Sequence, residues 1–330
     1  MTTNTSSKSP RIAVVIPCYR VASRVLDVIA RIGPEVSWII AVDDACPERT
    51  GNLIEQQCRD PRVRVLRHAE NQGVGGAVMT GYAEAMALPV DVVVKLDGDG
   101  QMDPSLIIRL VNPLLEGRAD YVKGNRFHRI ADVSGMPPLR LFGNAVLSFL
   151  TKLSSGYWQL FDPTNGFTAI RRELIAELAF DRIAKRYFFE SDMLYHLNQL
   201  RAVVVDIPMR ANYADEPSSL RPMHMIGPFM RGNIRNFFRR LLYSYFLRGF
   251  SAASMELLLG LPLFLFGLLF GLWQWINSIA AHQPATAGTV MLAALPLILG
   301  TQLMLSWLNF DVTAEPRQPV HAVLTGRDNA

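Results

Sequence analysis

The chain has 330 residues, enough for one large domain or two ordinary ones, and at 50% hydrophobic and 19% charged it is more apolar than a typical soluble protein. A net charge of +4 is too small to imply a nucleic-acid partner, and three cysteines (Cys18, Cys46, Cys58) without a CxxC spacing argue against a disulfide framework or a zinc site. The apolar excess is concentrated: the 54 positions from Leu257 to Phe310 hold no Asp, Glu, Lys or Arg, a gap that reads as membrane.

The start, "MTTNTSSKSP", is polar, lacks the apolar stretch of a signal peptide and is read as a disordered tail over 1–10. "RIAVVIPCY" is a β-branched run stopped by Pro17, a predicted strand. In "ASRVLDVIARIG", Val25, Val28, Ile29 and Ile32 recur at helical spacing, and Gly33-Pro34 ends the helix. "SWIIAVDD" is a second strand, "TGNLIEQQCRD" a helix, "RVRVLRH" a third strand and "GGAVMTGYAEAMAL" a small-residue helix. "VDVVVKLD" is the fourth strand. "DPSLIIRLVNPLLEG" follows as a helix with Asp103 as cap and Pro104 in its first turn, then "ADYVKGNRF" as the fifth strand. Beyond residue 130, "PPLRLFGNAVLSFLTKLSS" and "YFFESDMLYHLNQL" read as helices and "AVVVDIP" as a late strand.

From 223 to 250 the chain reads as a basic amphipathic helix. Ile234, Phe237, Phe238, Leu241, Leu242 and Tyr245 form its apolar stripe, and Arg231, Arg235 and Arg239 run beside it. Two spans near 257–277 and 287–308 lie within a membrane region over 251–312, with Trp273 and Trp275 as interface anchors before the break. Residues 313–330 are expected to be a tail. The arginines before the first span and the uncharged connecting loop put the preceding domain and both termini on the cytoplasmic side, in a multi-pass protein of the inner membrane.

The alternation of strands and helices over 11–222 predicts an open, mostly parallel, Rossmann-like α/β sheet, in which ligands bind beyond the carboxyl ends of the strands. Asp43, Asp44, Asp97 and Asp99 all fall at such ends. Asp97 and Asp99, separated only by Gly98, would repel unless a cation sat between them. Mg2+ or Mn2+ suits oxygen ligands and is commonly shared between carboxylates and substrate phosphates. Gly98 and Gly100 leave room for a phosphate, so a metal–diphosphate such as a nucleotide sugar is the expected ligand. "NQGVGGAVMTG", with Asn71, Gly73 and Gly75, is a glycine-rich turn into a helix start, suited to ribose and phosphate contact. It lacks the GxGxxG spacing and follows the third strand, which argues against a nicotinamide-binding domain.

Taken together and in order, "VVIPCY", "VDDACPERT", "NQGVGGAVMTG", "LDGDGQMDP", "GNRF", "DPTNGFTAIRREL" and "FFESDML" resemble family 2 glycosyltransferases of the GT-A fold. They are most similar to the dolichol- and polyprenyl-phosphate sugar transferases with two C-terminal membrane helices. The resemblance implies that Pro17, Tyr19, Asp43 and Asp44 hold the nucleoside and that Asp97, Asp99 and Gln101 are the metal triplet. It implies that Arg126 and Arg140 grip an acceptor phosphate, with Asn144 where a serine often assists, and that Asp162, Glu190 and Asp192 line the same cleft. The implied partners are a UDP- or GDP-linked sugar, a polyprenyl phosphate and the membrane; a homo-oligomer is left open. The implied reaction is inverting transfer of one sugar to the lipid phosphate, with Mg2+ or Mn2+ as cofactor.

The chain departs from that pattern in places. Arg20-Val21 replaces the usual Asn-Glu, Cys46 and Glu48 replace a Ser and an Asp, and "YADEPSSL" lacks the basic residues usual before the membrane, for which Arg221 is the substitute at hand. No QxxRW motif is present, which favours transfer of a single sugar. Two alternatives stand beside this reading: transfer to a sugar or lipid hydroxyl with Asp192 as general base, and a non-catalytic membrane protein that binds nucleotide sugars.

Overall fold

The computed structural model describes residues 10–128, 138–209 and 222–326, with the side chains of 138–141 and 222–226 outside that description. The chain divides into two compact units. Met1–Asn236 and Pro316–Ala330 form an α/β unit, and Phe237–Glu315 a helical one.

The α/β unit is built on a seven-stranded sheet of order β3-β2-β1-β4-β6-β5-β7. Its strands are β1 (Ile12–Cys18), β2 (Val36–Asp43), β3 (Val63–Arg67), β4 (Val92–Lys95), β5 (Tyr121–Asn125), β6 (Thr168–Arg171) and β7 (Val204–Pro208). The pairings are parallel except those of β6, which runs antiparallel to both β4 and β5. β1 sits at the centre because its apolar run can be buried on both faces. Ile12, Val14, Ile16 and Cys18 face one core, with α1 (Val25–Ala30), α2 (Thr50–Gln57) and α4 (Ile107–Leu115). Ala13 and Val15 face the other, with α3 (Val74–Met86), α6 (Arg172–Ala176) and α7 (Phe189–Gln199). The chain winds outward from β1 to β3 and returns through α3 to β4 on the far side of β1. That reversal opens a crevice at the carboxyl ends of β1 and β4, where open α/β sheets place their ligands.

Two features of this unit were not foreseen. β6, four residues long and following a turn-rich loop, carries too little periodicity to announce itself. The expected tail does not hang free: residues from 316 rejoin the α/β unit, where α11 (His321–Thr325) follows Val320. The buried Asp120 carboxylate draws this segment in. It accepts hydrogen bonds from the Val320 amide (2.9 Å), the His321 amide (3.0 Å), His321 Nδ1 (2.6 Å) and the Val203 amide (2.8 Å). Replacing Asp120 with Ala is expected to release the segment. The Val203 donor stays buried without a partner, at a cost of roughly 1–3 kcal/mol. Limited proteolysis reads this directly: cleavage after residue 315 should become fast, and persistent protection would refute the role given to Asp120.

α5 (Pro138–Ser155) and α8 (Pro222–Leu241) complete the α/β unit, α8 up to Asn236. α8 is anchored by polar groups rather than by its apolar stripe. Asn236 Nδ2 donates to Asp192 Oδ1 (2.7 Å), and Ser154 Oγ of α5 donates to Asn233 Oδ1 (2.6 Å). Ile234 is exposed.

In the helical unit, α9 (Ala252–Ala281) and α10 (Ala287–Thr313) have 30 and 27 residues, long and apolar enough to cross a bilayer. Their large apolar side chains are mostly exposed, as lipid-facing surfaces are. The two helices meet through small residues, which lets the backbones approach closely. A Cβ at Gly300 would lie 2.3 Å from the Phe264 amide nitrogen, and one at Gly267 2.5 Å from that of Leu297. A buried bidentate pair closes one end. Arg240 Nη1 and Nη2 lie 2.6 and 2.9 Å from the two Asp311 oxygens, and the Tyr245 hydroxyl donates to the same carboxylate (2.6 Å). Tyr245 is therefore buried, whereas Phe238 and Leu242 of the expected stripe are exposed.

Candidate active site

The carboxyl end of β4 is organised by a lysine that the sequence reading passed over. Lys95 is 1% exposed, and its ammonium lies 2.9 Å from Asp97 Oδ1 and 3.2 Å from Glu190 Oε1 on α7. Burial pulls this ammonium down, but the charges of Asp97 and Glu190 outweigh it and hold the group above its ordinary value. Asp97, Asp99 and Gln101 remain half-buried, and Asp99 Oδ1 accepts the Gln101 amide (3.0 Å). Asp103 caps the next turn as expected, accepting the Ser105 amide (3.1 Å), and pairs with Arg31 (3.0 Å).

These residues offer hard oxygen atoms at an open strand end, a donor set suited to Mg2+ or Mn2+. Among the described residues, no group of three or more His, Cys, Asp or Glu side chains stands together as a ready cage. The set fits an ion held by one or two carboxylates together with substrate phosphates.

A short loop, Asp162–Gly166, joins this end to β5. Asp162 is buried and clamps Arg126: Arg126 Nε lies 2.7 Å from Oδ2, Nη2 3.0 Å from Oδ1, and its amide also donates to Oδ2 (3.2 Å). At the other end of the loop Gly166 presses on the metal-binding candidates. A Cβ there would lie 2.3 Å from Lys95 Nζ and 2.8 Å from Asp97 Oδ2. From below, the fully buried Lys123 donates to the carbonyls of Pro163 (3.0 Å) and Asn165 (2.8 Å). Burial pulls its ammonium down to about 8 against the opposing charges of Asp162, Glu190 and Asp206. Lys95 and Lys123 both register against Thr168, so they occupy one row on one face of the sheet. A lysine within each of "VVVKLD" and "YVKGN" was the available signal: a charge inside a buried strand needs partners.

The nucleoside side differs from expectation. Asp44 is 2% exposed, and its carboxylate accepts the Gln72 and Gly73 amides (both 2.8 Å) and lies 2.7 Å from His68 Nδ1. A protein carboxylate thus occupies the anion place at the start of α3 that the sequence offered to phosphate. Asn71 donates its side-chain amide to the Asp44 carbonyl (3.1 Å). The glycines there accommodate another stretch of backbone. A Cβ on Gly73 would lie 2.7 Å from the Lys185 carbonyl, and one on Gly75 2.5 Å from that of Ala184. Asp43 is spent on the Cys46 (2.7 Å) and Gly51 (2.6 Å) amides. Of the four nucleoside candidates, Tyr19 is exposed, with Arg20 over its ring, and Pro17 half-buried.

Asp192 does not join Glu190. Two residues along a helix turn it about 200° away. It is 1% exposed, with Oδ2 accepting the Ala184 amide (2.7 Å) and Oδ1 the Asn236 side chain. A carboxylate so enclosed is a poor general base, which corrects the cleft position given to it. Asn144 is half-buried on α5; Arg140 belongs to the same helix, but its side chain, and Arg221 altogether, lie outside the described residues.

The profile of glycosyl transferase family 2 matches residues 13–179, just over half of the chain. The chain belongs to this family. Similar proteins include the UDP-N-acetylglucosamine–dolichyl-phosphate N-acetylglucosaminyltransferase of Methanococcus voltae. It is 27% identical over 230 residues, covering 66% of this glycosyltransferase and 91% of the relative. The undecaprenyl-phosphate mannosyltransferase of Micrococcus luteus is 29% identical over 203 residues, covering 60% and 82%. Among solved structures, the glucosyl-3-phosphoglycerate synthase of Mycobacterium tuberculosis with phosphoglyceric acid superposes at a TM-score of 0.52 and 23% identity, over 70% of this glycosyltransferase and 80% of that chain. At that identity the likeness is one of fold, and it agrees with the GT-A architecture expected.

Proposed function

We propose that this glycosyltransferase moves one sugar from a nucleotide-diphosphate sugar to a polyprenyl phosphate, with inversion and with Mg2+ or Mn2+. The observation that carries the reading is the Asp162–Gly166 loop, which holds an arginine at one end and touches Asp97 at the other. Charge-matching for an acceptor phosphate and metal-binding candidates for a donor diphosphate are thereby set on one short segment. The relatives from Methanococcus voltae and Micrococcus luteus, named for dolichyl and undecaprenyl phosphate, support the same acceptor class.

A phosphate monoester, with a second pKa of about 6, is already largely ionised at neutral pH, so the attacking oxygen needs no base. The residues' work is then to orient and to match charge. Arg126 pairs with the acceptor phosphate, Asp162 fixes its guanidinium, and Glu190 stays anionic beside Lys95. When bound, a divalent ion at Asp97 and Asp99 offsets the charge on the departing diphosphate. Tyr19 and Pro17 are the nucleoside contacts this reading retains; Asp43 and Asp44 act by shaping the strand ends. Transfer to a hydroxyl, which does need a base, loses its candidate with the enclosure of Asp192.

The α/β unit contains residues from both before and after the two apolar helices, as two crossings that return the chain to its starting side require. The exposed Arg231, Arg235 and Arg239 favour the cytoplasmic face of the inner membrane for that side. The test is incubation of purified protein with Mg2+ or Mn2+, undecaprenyl phosphate and a panel of UDP- and GDP-sugars, with products identified by mass. A lipid-linked monosaccharide phosphodiester is expected; products only on hydroxyl acceptors, or none, would refute the reading.

A further inference from the structure

We infer that Lys123 is a positioning residue for the acceptor side of the reaction: by donating to the Pro163 and Asn165 carbonyls it sets the Asp162–Gly166 loop and, through Asp162, the Arg126 guanidinium. The inference rests on the functional reading above, which gives Arg126 to the acceptor phosphate.

Burying a lysine is costly unless its donors are used. Lys123 is fully buried in mid-strand, yet among the described residues it forms no ion pair. Its donors go to two main-chain oxygens of a loop that has no strand to pair with. The loop's own bonds show what depends on this. Asn165 Nδ2 reaches Asp162 Oδ2 (3.2 Å), the Asn165 amide donates to the Asp162 carbonyl (3.2 Å), and the Phe161 amide donates to Asp206 Oδ2 (2.8 Å). Asp162 in turn carries three bonds to Arg126. Methionine at 123 would fill the same space and leave both carbonyls without a donor. The loop would then shift toward solvent to satisfy them, and Arg126 would follow.

The test uses the full-length enzyme in detergent, with Lys123→Met and, should that variant fold poorly, Lys123→Gln. A merely structural role lowers the folded fraction, hence the apparent kcat, and leaves both KM values where they were. A positioning role raises KM for undecaprenyl phosphate by about tenfold or more while KM for the nucleotide sugar stays within about twofold. Hydrogen exchange of the amides at 164–167, measured without substrates, should quicken in the same variants. Unchanged acceptor KM, an equal rise in both KM values, or failure of both variants to fold would overturn the inference. Wild-type enzyme inactive toward every lipid phosphate would instead overturn the functional reading, and the exchange measurement would still decide whether Lys123 holds the loop.

Discussion

Asp99→Ala enzyme should fold normally and lose nearly all transfer to lipid phosphate. Asp99 is half-buried at the end of β4, and its bond to the Gln101 amide serves a local turn. Its removal takes away one of two carboxylates able to share a cation with the donor diphosphate. Loss of such charge stabilisation at a reacting centre costs on the order of 10²–10³ in kcat. The measurement is steady-state transfer across a manganese titration, with thermal unfolding of the same preparation. Full turnover at saturating manganese would remove Asp99 from the site, and a large drop in melting temperature would reassign it to the fold.

The second large effect is expected on stability. Lys95→Met leaves Asp97 and Glu190 beside each other in a nearly closed space, with the ammonium between them gone. Breaking a buried ion pair from one side typically costs about 3–5 kcal/mol, because the remaining charge has neither water nor partner. Adding Glu190→Gln should restore part of the loss, since a neutral amide does not repel Asp97. Denaturant unfolding of the single and double variants forms a cycle whose coupling term measures the Lys95–Glu190 interaction. An unchanged unfolding midpoint for Lys95→Met would show that water or local movement compensates for the missing charge.

The parts of the fold that were legible in the sequence are those whose periodicity is local. β1 to β5 are short apolar runs bounded by Gly, Pro or acidic residues, and the two long helices lack charge altogether. β6 was hidden because "TAIR" owes its strand conformation to the edges of β4 and β5 rather than to its own pattern. At the site, "LDGDGQ" and "GNRF" point to strand ends from composition alone. The glycines of "NQGVGG" announced a close approach without saying what approaches, and the answer was backbone at 184–186 and the Asp44 carboxylate. The parting of Glu190 from Asp192 follows from helical phase and was readable in principle. The contact between Asp120 and the segment at 320 was not, because nothing local at either position encodes the other.

That last contact bears on how the protein is made. Asp120 takes three of its four donors from residues 200 or 201 positions later, beyond both bilayer crossings. A chain emerging from the ribosome carries Asp120 buried in its fold long before those donors exist. Biogenesis therefore ends with a sealing step: the nascent enzyme first inserts its hairpin, and only then can its final residues dock. A fusion or truncation at the carboxyl terminus acts on that step, which makes the amino terminus the safer place for a purification tag.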